Sequence, residues 1–93
     1  MYKKLNITEN HLRILVLFSL NPDKDYYIRE ISKLLQISPR TSQLILDDLE
    51  KKDILSSVVR GKIKLYKIKD SENSKNYLDL AKAYQKTILL KND

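Results

Sequence analysis

Apolar residues recur at helical spacing over residues 9–20, where Leu12, Leu15, Val16 and Leu20 form a stripe that Ile14, Leu17 and Phe18 widen. A helix apolar on nearly every side is buried on most sides. The pattern therefore predicts a first helix lying under the domain or within a dimer interface. Thr8 suits its N-cap, and Glu9 sits where a carboxylate meets the positive end of the helix dipole. Asn21-Pro22-Asp23 ends it, since proline cannot continue a helix. Residues 1–7 read as a basic lead-in. After a short loop, Tyr26 and Tyr27 fit either a brief strand or packing over the core. A second helix over 28–35 follows, with Ile28, Ile31, Leu34 and Leu35 facing inward and Arg29, Glu30 and Lys33 outward.

Gln36-Ile37 makes a tight turn, with Ile37 filling the space between two helices. Ser38 is a strong N-cap and Pro39 suits the first helical position, so a third helix is predicted over 38–52. Ile45, Leu46 and Leu49 face its core side, with small Ser42 where helices approach; Arg40, Thr41, Gln43, Leu44 and Asp47 fall on the outer side. Asp53 stands where a left-handed backbone is expected, a conformation Asp tolerates better than most residues. Residues 54–59 and 63–68 alternate as two strands around Arg60-Gly61-Lys62, and Gly61 is the only glycine. Tyr66 and Ile68 share a face that packs on the core with Leu55; Lys62 and Lys64 are expected to reach outward, with Ile63 and Leu65 on the opposite face.

A polar connector over 70–73 leads to Ser74, the expected cap of a last helix over 75–90. Tyr77, Leu80, Ala81, Tyr84 and Ile88 form its stripe, with Leu78, Leu89 and Leu90 beside it. Such a stripe folds back on its own domain or pairs with a second copy. Its size favours pairing, and twofold dimers are the commonest oligomer. The fold class is mainly α with a small β-hairpin, as one domain over 1–93: a core over 8–69 and a C-terminal helix over 74–91.

Composition narrows the chemistry. No cysteine is present, and His11 is the only histidine, so neither thiolate nor His-rich metal sites are available. His11 is expected to be an ordinary, partly exposed side chain. No nucleophile–base pair or glycine-rich phosphate loop occurs, so no enzyme, cofactor or metal is expected. No run reaches the roughly 18 apolar residues of a membrane span, and MYKKLNITEN has no signal-peptide core, so a cytoplasmic protein is expected. The net charge of +6 favours a polyanionic partner. The excess is local: Arg60, Lys62, Lys64, Lys67 and Lys69 stand in residues 57–69 without an acid, while residues 70–93 are neutral. Lysines also protect exposed strand edges, which is the plainer account of that ribbon.

With these residues placed, REISKLLQISPRTSQLILDDLEKKDIL resembles a helix-turn-helix and SSVVRGKIKLYKI resembles its wing. The chain is similar to small archaeal winged-helix transcriptional regulators, most closely over residues 27–69. The resemblance implies a winged helix-turn-helix of order α-α-α-β-β-α, acting as a homodimer on double-stranded DNA. The third helix would enter the major groove, with Arg40 and Gln43 at base edges, Thr41 on a phosphate or thymine methyl, and the backbone near Ser38 and Pro39 on a phosphate. The wing over 57–68 would follow the backbone, with Arg60 in the minor groove, Lys62 and Lys64 on phosphates, and Arg29 and Lys33 as secondary phosphate contacts. Tyr77, Leu80, Ala81, Tyr84 and Ile88 would line the dimer interface.

Two departures from the pattern matter. Asp53 stands where such proteins most often carry glycine, and Asp47 and Asp48 make the later part of the third helix acidic, which confines DNA contacts to its first half. The alternative is a protein-interaction module of the same fold. It would dock a partner, such as a nucleotidyltransferase-type protein, through the terminal or third helix, where Leu44 is exposed. A single-stranded nucleic-acid binder ranks behind both, because it needs exposed aromatic side chains for stacking.

Overall fold

A computed structural model describes the backbone of residues 7–91 and the side chains of residues 7–85. Most of the lead-in over 1–7 and the side chains of Ile88, Leu89 and Leu90 lie outside the described residues. The chain runs α1 (Glu9–Leu20), β1 (Tyr26–Tyr27), α2 (Ile28–Leu35), α3 (Pro39–Lys51), β2 (Leu55–Arg60), β3 (Ile63–Ile68) and α4 (Glu72–Lys91). The sheet is antiparallel with order β1-β3-β2; Tyr26 pairs with Tyr66 and Arg60 with Ile63. This is the winged helix-turn-helix arrangement, with Tyr26-Tyr27 as its third, very short strand.

The core is one cluster. Ile14, Leu15 and Phe18 of α1, Ile31 of α2, and Ile45, Leu46 and Leu49 of α3 meet Tyr26, Leu55 and Tyr66 from the sheet. Phe18 and Tyr26 pack edge to face with centroids 5.1 Å apart, a geometry the ring quadrupoles favour. Ile37 is buried in the turn as expected. Gln36 and Asp53 take positive φ of 56° and 67°, closing α2 and following α3, and Gly61 takes 63° at the hairpin tip. Ser42 is fully buried and accepts a hydrogen bond from the Ser32 hydroxyl at 3.1 Å, so two small side chains let α2 and α3 close on each other.

Four details differ from the sequence reading. Leu34 is 57% exposed rather than inward. It lies about 100° round the helix from Leu35, and Ile28, Ile31 and Leu35 already cover the core side of α2. The second strand is displaced by one residue, because Ile54 is buried ahead of it. The last helix begins at Glu72 with Ser71 as its cap: the Ser71 hydroxyl accepts the Ser74 N–H at 3.1 Å. Ser74 is instead buried in the first turn, donating to the Lys69 carbonyl.

The fourth concerns His11, which is 7% exposed rather than partly solvated. Its Nδ1 accepts the Thr8 N–H at 3.1 Å, while Thr8 Oγ1 accepts the His11 N–H at 3.3 Å. Histidine here takes the role glutamate has in the usual capping box. A nitrogen that accepts a backbone N–H carries no proton, so Nε2 is the donor to Asp48 Oδ2 at 3.0 Å. Lys52 Nζ donates to both Asp48 oxygens, at 2.8 and 2.7 Å. One carboxylate thus fastens α3 to the start of α1.

The α4 stripe divides. Tyr77 packs on the core and Ala81 is fully buried. The Tyr84 hydroxyl donates to Glu9 Oε2 at 2.7 Å, so α4 runs back along α1 in the opposite direction. Tyr77 and Ala81 are thus covered within the chain and Tyr84 reaches its first helix, which accounts for the apolarity of α1 on both sides. Leu80 points outward and is 41% exposed.

Burial alone raises the Asp48 carboxyl, but the hydrogen bonds from Lys52 and His11 and the charge of Lys52 outweigh it and hold it below its ordinary value of 3.8. A lowered folded-state pKa stabilises the fold above the unfolded-state value, and that stabilisation is lost as pH falls through the folded-state value. Urea denaturation across pH should therefore show Asp48→Asn less stable than the parent at neutral pH. The gap should narrow below about pH 5 and close at stronger acid; a gap independent of pH would refute the ion-pair account.

Candidate nucleic-acid interface

The outward face of α3 follows from its inward face. With Ser42, Ile45, Leu46 and Leu49 buried, helical geometry leaves Arg40, Gln43, Leu44 and Asp47 as one stripe. Arg40 and Gln43 are exposed, Leu44 is 62% exposed, and Thr41 is half-buried. Ser38 caps the helix as expected, its hydroxyl accepting the Thr41 N–H at 3.1 Å and donating to Thr41 Oγ1 at 3.0 Å. Both hydroxyls are thus engaged with each other. Pro39 occupies the first helical position, where no N–H is lost.

The β2–β3 hairpin projects beside this helix. Its outer surface carries Arg60 and Lys62 at the tip, with Val58, Val59 and Ile63 also exposed. Arg29 and Lys33 are exposed on α2. Among the described residues, the side chains of Arg29, Lys33, Arg40, Gln43, Arg60 and Lys62 make no hydrogen bond or ion pair. A depression of about 530 Å³ brings Arg29 of α2 together with Lys62 of the wing. A second, of about 580 Å³, continues from Arg29 past Lys33 to Pro39 at the start of α3. Tyr27 lines both. Cations of α2 and of the wing thus border two neighbouring depressions that share Tyr27 and Arg29, one of which reaches the start of α3 at Pro39.

Lys64 is placed differently from its neighbours. Instead of reaching outward, it lies 3.5 Å from Glu50 and 3.9 Å from Asp47 on α3, and 5.2 Å from the centroid of the Tyr66 ring. Partial burial works to lower the Lys64 ammonium, but Tyr66 and the two carboxylates outweigh it and hold it above the ordinary lysine value. Its charge serves α3. Glu50 also accepts from the Ser57 hydroxyl at 2.6 Å, and Asp47 from the Tyr66 hydroxyl at 3.1 Å.

Sequence reasoning missed two members of this surface. Tyr27 is 38% exposed while Tyr26 is buried; strand alternation separates the pair, but only once a strand there is known. Lys24 borders the α2 depression, beside Glu30 at 3.4 Å and over the Tyr26 ring at 4.8 Å. Among the described residues, no cluster of three or more His, Cys, Asp or Glu side chains could hold a metal, and no helix is long and apolar enough to cross a membrane.

No protein-family model matches this chain, and no curated protein matches it in sequence. Solved structures do match in shape. A variant of Lactococcus lactis ZitR superposes with a TM-score of 0.74 at 17% identity, over 99% of this chain and 62% of that one. The adhesin competence repressor AdcR from Streptococcus pyogenes gives 0.74 at 20% identity, over 94% of this chain and 64% of that one. A possible transcriptional regulator from Methanosarcina mazei gives 0.71 at 24% identity, over 95% and 78%. The chain spans less than two thirds of the ZitR and AdcR chains. At these identities the likeness is one of fold.

The Asp47–Tyr66 contact has its own signature. Burial pushes the Tyr66 phenol up, and its bond to Asp47 pushes it further. In Asp47→Asn the phenol should titrate at lower pH than in the parent while staying above an unburied tyrosine, as followed by NMR across alkaline pH. An unchanged titration would mean that the two groups do not meet in solution.

Proposed function

We propose that this winged-helix chain is a sequence-specific transcriptional regulator that binds double-stranded DNA. The N-terminal half of α3 lies in the major groove, and the wing follows the backbone with Arg60 reaching into the minor groove. Arg40 reads guanine and Gln43 adenine, since their side chains can bridge the paired acceptor and donor edges of those bases. Thr41 contacts a phosphate or a thymine methyl. The amide end of α3 around Ser38 and Pro39 favours a phosphate. Lys62, Arg29 and Lys33 neutralise phosphates, and Lys64 contributes to the same field through the charge it offsets on α3.

The observation that carries this reading is the pair of neighbouring depressions that share Arg29 of α2, one bordered by Lys62 of the wing and the other by Lys33 and the start of α3 at Pro39. Arg29 and Lys33 of α2 and Lys62 of the wing, remote from them in sequence, border these depressions with side chains that make no hydrogen bond or ion pair among the described residues. Regulators among the proteins of similar shape support it. The protein acts as a homodimer in this reading; among the described residues of the α4 stripe, Leu80 is the one turned outward for a second copy.

The protein-docking alternative draws on Leu34 and Leu44, two large apolar side chains that are 57% and 62% exposed beside the same surface. A single experiment separates the readings. Anisotropy titration against mixed-sequence duplex should give binding that weakens steeply with salt, with a log–log slope of about −0.9 per phosphate neutralised. Three such contacts per copy give a slope of about −5 for a dimer and about half that for a monomer. Arg60→Ala with Lys62→Ala should weaken binding and flatten the slope. Absence of binding at low salt would eliminate the DNA reading in favour of protein docking.

A further inference from the structure

We propose that Asp47 is a specificity-determining residue, accepting a hydrogen bond from the exocyclic amino group of a cytosine in the major groove. This deepens the DNA-binding reading above and rests on it. A carboxylate in the second half of a DNA-facing helix would ordinarily confine the contacts to the turns before it, because phosphates repel it, and the proposal extends the base contacts of that first half by one turn. Its surroundings here give it another role.

Position comes first. Asp47 is four residues after Gln43 and seven after Arg40, so it continues their stripe one turn further along α3. Its side chain is 43% exposed, open to a ligand on that face. Orientation comes second. Oδ1 accepts from the hydroxyl of Tyr66, whose ring is fully buried in the central strand. A solvated aspartate rotates freely, whereas this one is tied to the sheet. A carboxylate has about four lone-pair sites, and the contacts of Asp47 to Tyr66 and Lys64 both fall on Oδ1. Oδ2 has capacity to spare.

Chemistry then selects the ligand. An ionised carboxylate only accepts hydrogen bonds, so it cannot hold a phosphate. In the major groove the donors are the amino groups of cytosine and adenine, and carboxylate with cytosine N4 is the established pairing. Guanine O6 and thymine O4 are acceptors and would be repelled, so Asp47 discriminates as much by exclusion as by attraction. Lys64, between Asp47 and Glu50, offsets the repulsion from neighbouring phosphates. What remains is discrimination at little cost in overall affinity.

The test is selection of binding sites from randomised duplexes by the parent protein and by Asp47→Ala and Asp47→Asn, followed by titration of duplexes differing at one base pair. The parent should select a cytosine at one fixed position per half-site. Asp47→Ala should lose about tenfold discrimination there while keeping the preferences at other positions and binding mixed-sequence duplex at least as tightly. Asp47→Asn retains an acceptor for Tyr66, which protects the fold, and should turn the preference from cytosine toward adenine. Parent sites without such a cytosine, or variants that weaken every sequence equally with the preference intact, would overturn the proposal. A parent protein that binds no duplex at low salt fails earlier and overturns the DNA reading itself.

Discussion

Everything this molecule presents to a partner depends on how the inner face of α3 is seated. Ser42, Ile45, Leu46 and Leu49 are buried against α1, α2 and the sheet, and the Ser32–Ser42 contact sets how closely α2 can approach. A helix fixed on one side is fixed on the other. Rotating α3 by one residue would turn Arg40 and Gln43 away from its outward face and expose apolar side chains to water, each at a cost of roughly 1.5–3 kcal/mol.

The acids of α3 serve the same end. Asp48 is held by His11 and Lys52, Glu50 by Ser57 and Lys64, and Asp47 by Tyr66 and Lys64. Each ties the later turns of the helix to α1 or to the sheet, so negative charge is answered inside the molecule. The first turns carry no acid and keep Arg40 free. Charge is thus divided along one helix: anchoring carboxylates toward the C-terminus, and a cationic and polar N-terminal end beside the wing.

The last helix changes what a second copy could meet. Because Tyr77, Ala81 and Tyr84 are taken up against the core and α1, α4 thickens the domain that carries α3. Sequence periodicity cannot distinguish a stripe buried at home from one buried abroad, since both need the same residues at the same spacing.

Much was legible in the chain itself. The extents of α1 and α2, the Ser38–Pro39 start of α3, the left-handed Asp53 and the turn at Gly61 all follow from local rules of capping, periodicity and backbone sterics, which depend on neighbours in sequence. The basic wing was legible because its cations lie close together in sequence with no acid among them. What the sequence could not supply is which side chains meet across distance. His11 and Asp48 are 37 residues apart and Tyr66 and Asp47 are 19 apart. Lys62 and Lys64 look equivalent by alternation, yet one is free at the tip and the other is drawn down to Glu50 and Asp47. Local pattern determined the elements and their faces; only packing decided which charges face each other and which remain for a ligand, because Coulomb and hydrogen-bond partners are chosen by spatial proximity.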